Sequence, residues 1–141
     1  MGRNDAIIAR LSDISIFAGC TKKELQEISR LATEIAVKEG QVLTREGEHG
    51  IEFGIVLSGT ASVTQRGREV NRLEVGGHFG EMALIDDGPR TATIVATSPM
   101  SLAVVARPEF GKLLDEVPAL AAAIMRGMAA RLRQVDPTPT F

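Results

Sequence analysis

The sequence predicts a single α+β domain, mainly β, in which a barrel or sandwich of roughly six to eight short strands lies between helices. Three observations carry this. Apolar residues recur at helical spacing up to about residue 32. From Glu34 to Ala106 the pattern changes to short runs rich in Val, Ile and Thr, broken by glycines. Helical spacing returns after Pro108, and the 141 residues suffice for one shared core.

Ile7, Ile8 and Leu11 predict a short first helix, with Ile14, Ile16 and Phe17 as an apolar connector. Thr21-Lys22-Lys23-Glu24 fits a capping box, and Leu25, Ile28 and Leu31 follow at helical spacing. These helices occupy about residues 3–32. The strand region, about 34–106, is punctuated by Gly40, Gly47, Gly50, Gly59, Gly67 and Gly76-Gly77. Residues 61–65 and 70–75 are its clearest strands, and 101–106 its last. Pro108 then opens a helix with Phe110, Leu113 and Leu114 on its apolar side. Pro118 opens another, striped by Leu120, Ile124, Met128, Leu132 and Val135. The C-terminal helices span about 107–135, and the whole of 1–141 is read as one domain.

Composition narrows the function. Hydrophobic residues make up 44% and charged residues 24%, ordinary globular usage. Sixteen basic and 18 acidic side chains leave a net charge of -2, which offers no field for nucleic acid or an anionic membrane. Cys20 is a lone cysteine, so no intramolecular disulfide is expected. No apolar stretch approaches a membrane span, and the N-terminal residues lack the features of a signal peptide. Ala6 stands where a myristoylation signal needs Ser or Thr. The cytoplasm is the expected compartment. A cupin-like metal enzyme, the nearest catalytic alternative, usually gathers two or three histidines and a carboxylate. Here His49 and His78 stand in separate glycine-flanked turns, and no nucleophile–base pair has recognisable spacing. No enzyme activity and no metal are expected.

One segment, residues 76–93, departs from the strand rhythm. Glycines lead into a helix-length centre at 81–85, and Asp86-Asp87-Gly88-Pro89 reads as a turn that delivers Arg90 at the start of a strand. A helical turn set into a barrel leaves N–H groups unpaired at its start, which favours an anion. Arg90 adds a planar donor fork suited to phosphate, and Glu81 can accept from a sugar hydroxyl. The bland alternative is a structural Arg90–Glu81 ion pair, which would be costly to desolvate without a ligand.

Phe79-Gly80-Glu81-Met82-Ala83-Leu84 followed by Pro89-Arg90-Thr91-Ala92-Thr93 resembles the phosphate-binding cassette of cyclic nucleotide-binding domains. Such domains occur in bacterial catabolite activators, in regulatory subunits of cyclic nucleotide-dependent kinases and in cyclic nucleotide-gated channels. Residues 38–48 and 53–59 resemble the early strands and turns of the same barrel, and the resemblance covers about residues 14–133. It implies an eight-stranded β-roll or jelly-roll barrel with short N-terminal helices, a cassette helix and two C-terminal helices. It also implies that Glu81 and the Gly80 backbone hold the ribose 2′-hydroxyl. Arg90 would pair with the cyclic phosphate, joined by backbone N–H groups around Met82 and Ala83 and by Thr91. The last helix would close over the purine, with Met128 and Leu132 as candidate contacts.

The expected function is therefore a cAMP sensor of bacterial type. A threonine after the arginine is common in cGMP-selective members, which leaves cGMP open as the ligand. Binding would shift the C-terminal lid and signal to an effector protein. The apolar face of the last helix could also pair with a second copy, although Gly127 lowers helix propensity there. The Met-Gly start and the Pro-Thr tail fit a stand-alone chain. The alternative is a regulatory fragment of a larger cAMP-controlled enzyme, channel or transcription factor. No basic recognition helix follows the last helix, so direct nucleic-acid binding is not expected.

Overall fold

Thr21 and Glu24 close the capping box that the sequence predicts. The Thr21 N–H donates to Glu24 Oε1 at 2.8 Å, and the Glu24 N–H donates to Thr21 Oγ1 at 3.1 Å. Helix α1 (Arg3–Ser12), a 3-10 turn at Ser15–Phe17 and α2 (Lys22–Leu31) form the N-terminal helical layer. The computed structural model describes residues 3–85 and 88–135, so the turn expected at Asp86 and Asp87 and residues 136–141 lie outside it.

The described residues form eight strands in two antiparallel four-stranded sheets. One sheet orders β1 (Thr33–Val37), β8 (Met100–Ala106), β3 (Glu52–Ser58) and β6 (His78–Phe79). The other orders β2 (Val42–Thr44), β7 (Thr93–Ala96), β4 (Ala61–Gln65) and β5 (Arg68–Leu73). With α3 (Glu81–Ile85), α4 (Arg107–Glu116) and α5 (Pro118–Val135), this is the expected mainly β roll.

The strand expected at 70–75 instead runs from Arg68 to Leu73. Arg66 (φ 52°) and Gly67 (φ 78°) both take left-handed backbone, and Gln65 pairs with Arg68. Such a two-residue hairpin starts the return strand at once. The two-residue β6 inside the 76–93 segment was not visible as a strand, being too short to show a period.

Two apolar clusters share β3 and β8. Phe53, Ile55 and Leu57 on β3, with Ala103 and Val105 on β8, pack with the helices around Phe17, Phe110, Leu113 and Leu120. Val56 on β3, with Leu102 and Val104 on β8, faces the barrel interior with Phe79 and Ile94. Residues 53–57 read as one unbroken apolar run because both faces of β3 are covered. Burial of each large side chain contributes about 1.5–3 kcal/mol, so these two strands anchor helices and barrel together. Among the described residues no helix is long and apolar enough to cross a membrane.

Candidate functional site

The 76–93 segment is docked onto β3 before it reaches its charged residues. The Val56 N–H donates to Gly77 O at 2.8 Å and the Gly76 N–H donates to Val56 O at 2.9 Å. His78 and Phe79 then pair with Ile55 and Gly54. A β-carbon on Gly54 would lie 2.5 Å from Phe79 Cε1, so the Phe79 ring fits only because residue 54 has no side chain. Gly80 follows with φ +95°, where a β-carbon would come within 2.5 Å of Arg90 Nη1. Glycine is needed there both for the backbone and for the approach of the guanidinium.

That turn places Glu81 at the start of α3, with only 2% of its surface exposed. Its Oε2 lies 3.4 Å from His78 Nδ1, and its Oε1 accepts from Arg131 Nη1 at 3.1 Å. Burial pushes the Glu81 carboxyl up. The hydrogen bond and charge of His78, its own backbone N–H and the charge of Arg131 outweigh that, and the group is held below the usual carboxylate range.

Arg90 is fixed through its backbone. Its N–H donates to Glu48 O at 2.7 Å, its carbonyl accepts from Gly47 N–H at 2.9 Å, and Pro89 bridges His49. The residue is 9% exposed, and its Nη1 is buried without a hydrogen-bond partner. Burial lowers the Arg90 pKa; Glu52 opposes this, Arg107 adds to it and Glu81 opposes it, and the net direction is downward. Arg90 is thus a held cation with less negative charge around it than it needs. A buried donor in that condition is what an anionic ligand satisfies.

Both groups line one cleft of about 100 Å³ that opens to solvent. Gly80, Glu81, Met82, Arg90 and Thr91 all line it, with Val63, Leu73 and Ile94 of the barrel supplying apolar surface. Thr91 is exposed, and its carbonyl accepts from Gln65 Nε2 at 2.9 Å. Ala83 lies within α3, beside the cleft residues Glu81 and Met82.

Helix α5 reaches the cleft through its C-terminal half. Met128 packs against the helical core, and Leu132 is 69% exposed; neither lines the cleft. Leu120 and Ile124 are buried, so the predicted stripe holds for the first half of α5 and then runs off the protein. The α5 residue that lines the cleft is Arg131. Sequence reasoning missed it because an arginine off the apolar stripe reads as a solvated charge. It also missed His78, although His78 and Glu81 stand three residues apart at a helix start. Among the described residues no group of three or more His, Cys, Asp or Glu is placed to hold a metal ion.

Residues 34–117 match the family model of the cyclic nucleotide-binding domain. Over 127 residues the chain is 35% identical to a cGMP-dependent protein kinase of Caenorhabditis briggsae, covering 85% of this chain and 17% of that protein. Over 111 residues it is 32% identical to a cAMP-dependent protein kinase regulatory subunit of Mucor circinelloides f. lusitanicus, covering 76% and 26% respectively. The chain thus spans about a quarter or less of the length of these relatives. The regulatory domain of Toxoplasma gondii PKA, co-crystallised with cAMP, matches the structure with a TM-score of 0.79 and 25% identity, over 90% of this chain and 50% of that one.

Proposed function

The chain belongs to the cyclic nucleotide-binding domain family, and from that premise we propose that its cleft binds cAMP and passes the occupancy of the site to a protein effector. The observation that carries the reading is the buried Arg90 guanidinium, whose Nη1 lacks a partner, in the same cleft as the buried carboxylate of Glu81. A cyclic phosphodiester supplies one negative charge and acceptor oxygens to Arg90. Gly80, with no side chain in the way, lets the two approach. Backbone N–H groups around Met82 and Ala83 and the Thr91 hydroxyl complete the phosphate contacts. The ribose 2′-hydroxyl donates to Glu81, and the purine lies along Val63, Leu73 and Ile94.

The role is regulatory rather than catalytic: the bound nucleotide is read, not converted. Binding stabilises the conformation it fits best, and the C-terminal helices repack in response. Phe53 supplies a physical connection, since its ring stands 5.8 Å from His78 in the cassette and 4.9 Å from Phe110 in α4. The cyclic nucleotide-dependent kinase and the kinase regulatory subunit among the relatives support an effector that is a kinase or another linked protein. A second reading, cGMP as the ligand, is favoured by the exposed Thr91 hydroxyl beside the cleft and by the cGMP-dependent relative.

Titration calorimetry of the 141-residue chain with cAMP and cGMP tests both readings. Binding of cAMP ahead of cGMP, lost in Arg90→Ala, is the expected result. Preference for cGMP would move the assignment to the second reading. Absence of binding for both at millimolar concentration would overturn the nucleotide-binding role.

A further inference from the structure

We infer that His78 is a positioning residue that aims the Glu81 carboxylate at the ribose, so that the chain tells a ribose from a 2′-deoxyribose cyclic nucleotide through this imidazole. This rests on the nucleotide-binding reading above and adds to it the residue behind the sugar contact. Glu81 is buried and ends in a planar group whose last torsion is soft. One partner leaves that plane free to turn, whereas two partners, one on each oxygen, fix it. Here Arg131 Nη1 donates to Oε1 at 3.1 Å, and His78 Nδ1 stands 3.4 Å from Oε2. Each oxygen keeps room to accept a hydroxyl as well.

The two partners differ in how firmly they are themselves held. Arg131 reaches Glu81 on a long stem from late in α5, and its side chain is 52% exposed. The His78 side chain is 17% exposed, its residue pairs with Ile55 of β3, and its ring centre lies 5.8 Å from that of Phe53. Phe53 is itself fully buried and stands 4.9 Å from Phe110. The imidazole thus has a strand beneath it and an aromatic ring beside it, and it gives Oε2 a fixed reference. Glu81 is held below the usual carboxylate range, so it is ionised and only accepts. The proton in the contact therefore sits on Nδ1, in the neutral ring as in the charged one. A hydrogen bond weakens steeply with misalignment. A carboxylate free to turn would therefore lose the 2′-hydroxyl while the phosphate stayed on Arg90.

Calorimetry with cAMP and 2′-deoxy-cAMP on the full chain tests this with two variants. His78→Phe keeps a ring and removes the donor, and His78→Asn keeps an amide N–H near the place of Nδ1. The unaltered chain should prefer cAMP. His78→Phe should lower that preference about threefold to tenfold, chiefly through loss of cAMP affinity. His78→Asn should recover part of it. In a Glu81→Gln background His78→Phe should change the preference no further, the non-additivity expected of a residue that acts through Glu81. Nitrogen NMR of the imidazole in the unaltered chain should show a proton on Nδ1, and this signature decides even if His78→Phe fails to fold. Equal weakening of both nucleotides would make His78 a structural residue only. An unchanged preference would make Arg131 sufficient, and a proton on Nε2 alone would remove the bond. Each of these results would overturn the positioning role. If the unaltered chain binds neither nucleotide, the binding role itself fails; if it binds cAMP and only the His78 effect is missing, that role stands and this inference falls.

Discussion

Gly54 and Phe79 share one volume: the Phe79 ring occupies the space that a β-carbon on residue 54 would need. The two are paired across β3 and β6, one residue before the Gly80 turn that presents Glu81. A small residue in the middle of an apolar strand therefore sets where the binding segment lies.

Gly54→Ala should accordingly destabilise the chain by about 1–3 kcal/mol, the usual range for overpacking a filled site. Denaturant unfolding measures this directly. Displacing Phe79 also shifts Glu81, so cAMP affinity should fall. Adding Phe79→Leu should recover part of the stability, giving a double-mutant cycle with clear coupling. Additive effects would show that the two side chains do not contend for the same space.

Arg90→Met should separate stability from binding. Leaving a buried donor without a partner costs about 1–3 kcal/mol, and methionine removes that donor while keeping apolar bulk. The ligand-free variant should be about 1 kcal/mol more stable in urea, against the usual direction of core substitutions. Saturating cAMP should no longer protect it, whereas at one hundred times Kd the unaltered chain should gain about 2.7 kcal/mol. A less stable variant would mean that Glu52 and Glu81 satisfy Arg90 without a ligand.

Acid should weaken the fold through Glu81. Burial acts to raise its pKa, but His78, the backbone and Arg131 hold it below the ordinary 4.5. A carboxyl whose folded pKa is depressed adds stability above its unfolded pKa and loses it as pH falls through the folded value. The stability difference between the unaltered chain and Glu81→Gln should be steady from pH 7 to about 5 and shrink below about 4.5. Urea titrations at stepped pH measure it, and a difference that stays constant into stronger acid would exclude ionisation of Glu81 as its source.

Thr91→Ala should change selectivity as well as affinity. Its side chain lies at the cleft and is exposed, so the substitution leaves the core untouched. Loss of one hydroxyl contact to a guanine amino group corresponds to about 1 kcal/mol, or several-fold in Kd. The phosphate contact is common to both nucleotides, so both affinities should fall, and that of cGMP should fall further by that factor. Equal losses for both would assign the hydroxyl to the phosphate alone.

Much of this architecture is legible in the residues. The Thr21–Glu24 capping box needs only four consecutive positions, and the pattern of β3 shows because Phe53 to Leu57 is apolar on both faces. The residues that line the cleft from 80 to 91 are local to one segment and are found together. What escapes the sequence is set by tertiary distance. Arg131 reaches Glu81 across 50 positions, and no spacing rule signals that. Leu132 continues the helical stripe faithfully, yet α5 by then has run past the core that would bury it. The start of β5 at Arg68 follows from a positive φ at Arg66, a residue type that gives no advance sign of it.

The two-sided covering of β3 and β8 has a consequence for dissection of the chain. Removing α4 and α5 to obtain a bare roll would uncover Phe53, Ile55, Leu57, Ala103 and Val105 as one continuous sheet face. An apolar surface of that kind drives aggregation. Proteolysis inside the C-terminal helices should therefore yield insoluble fragments rather than a smaller folded core.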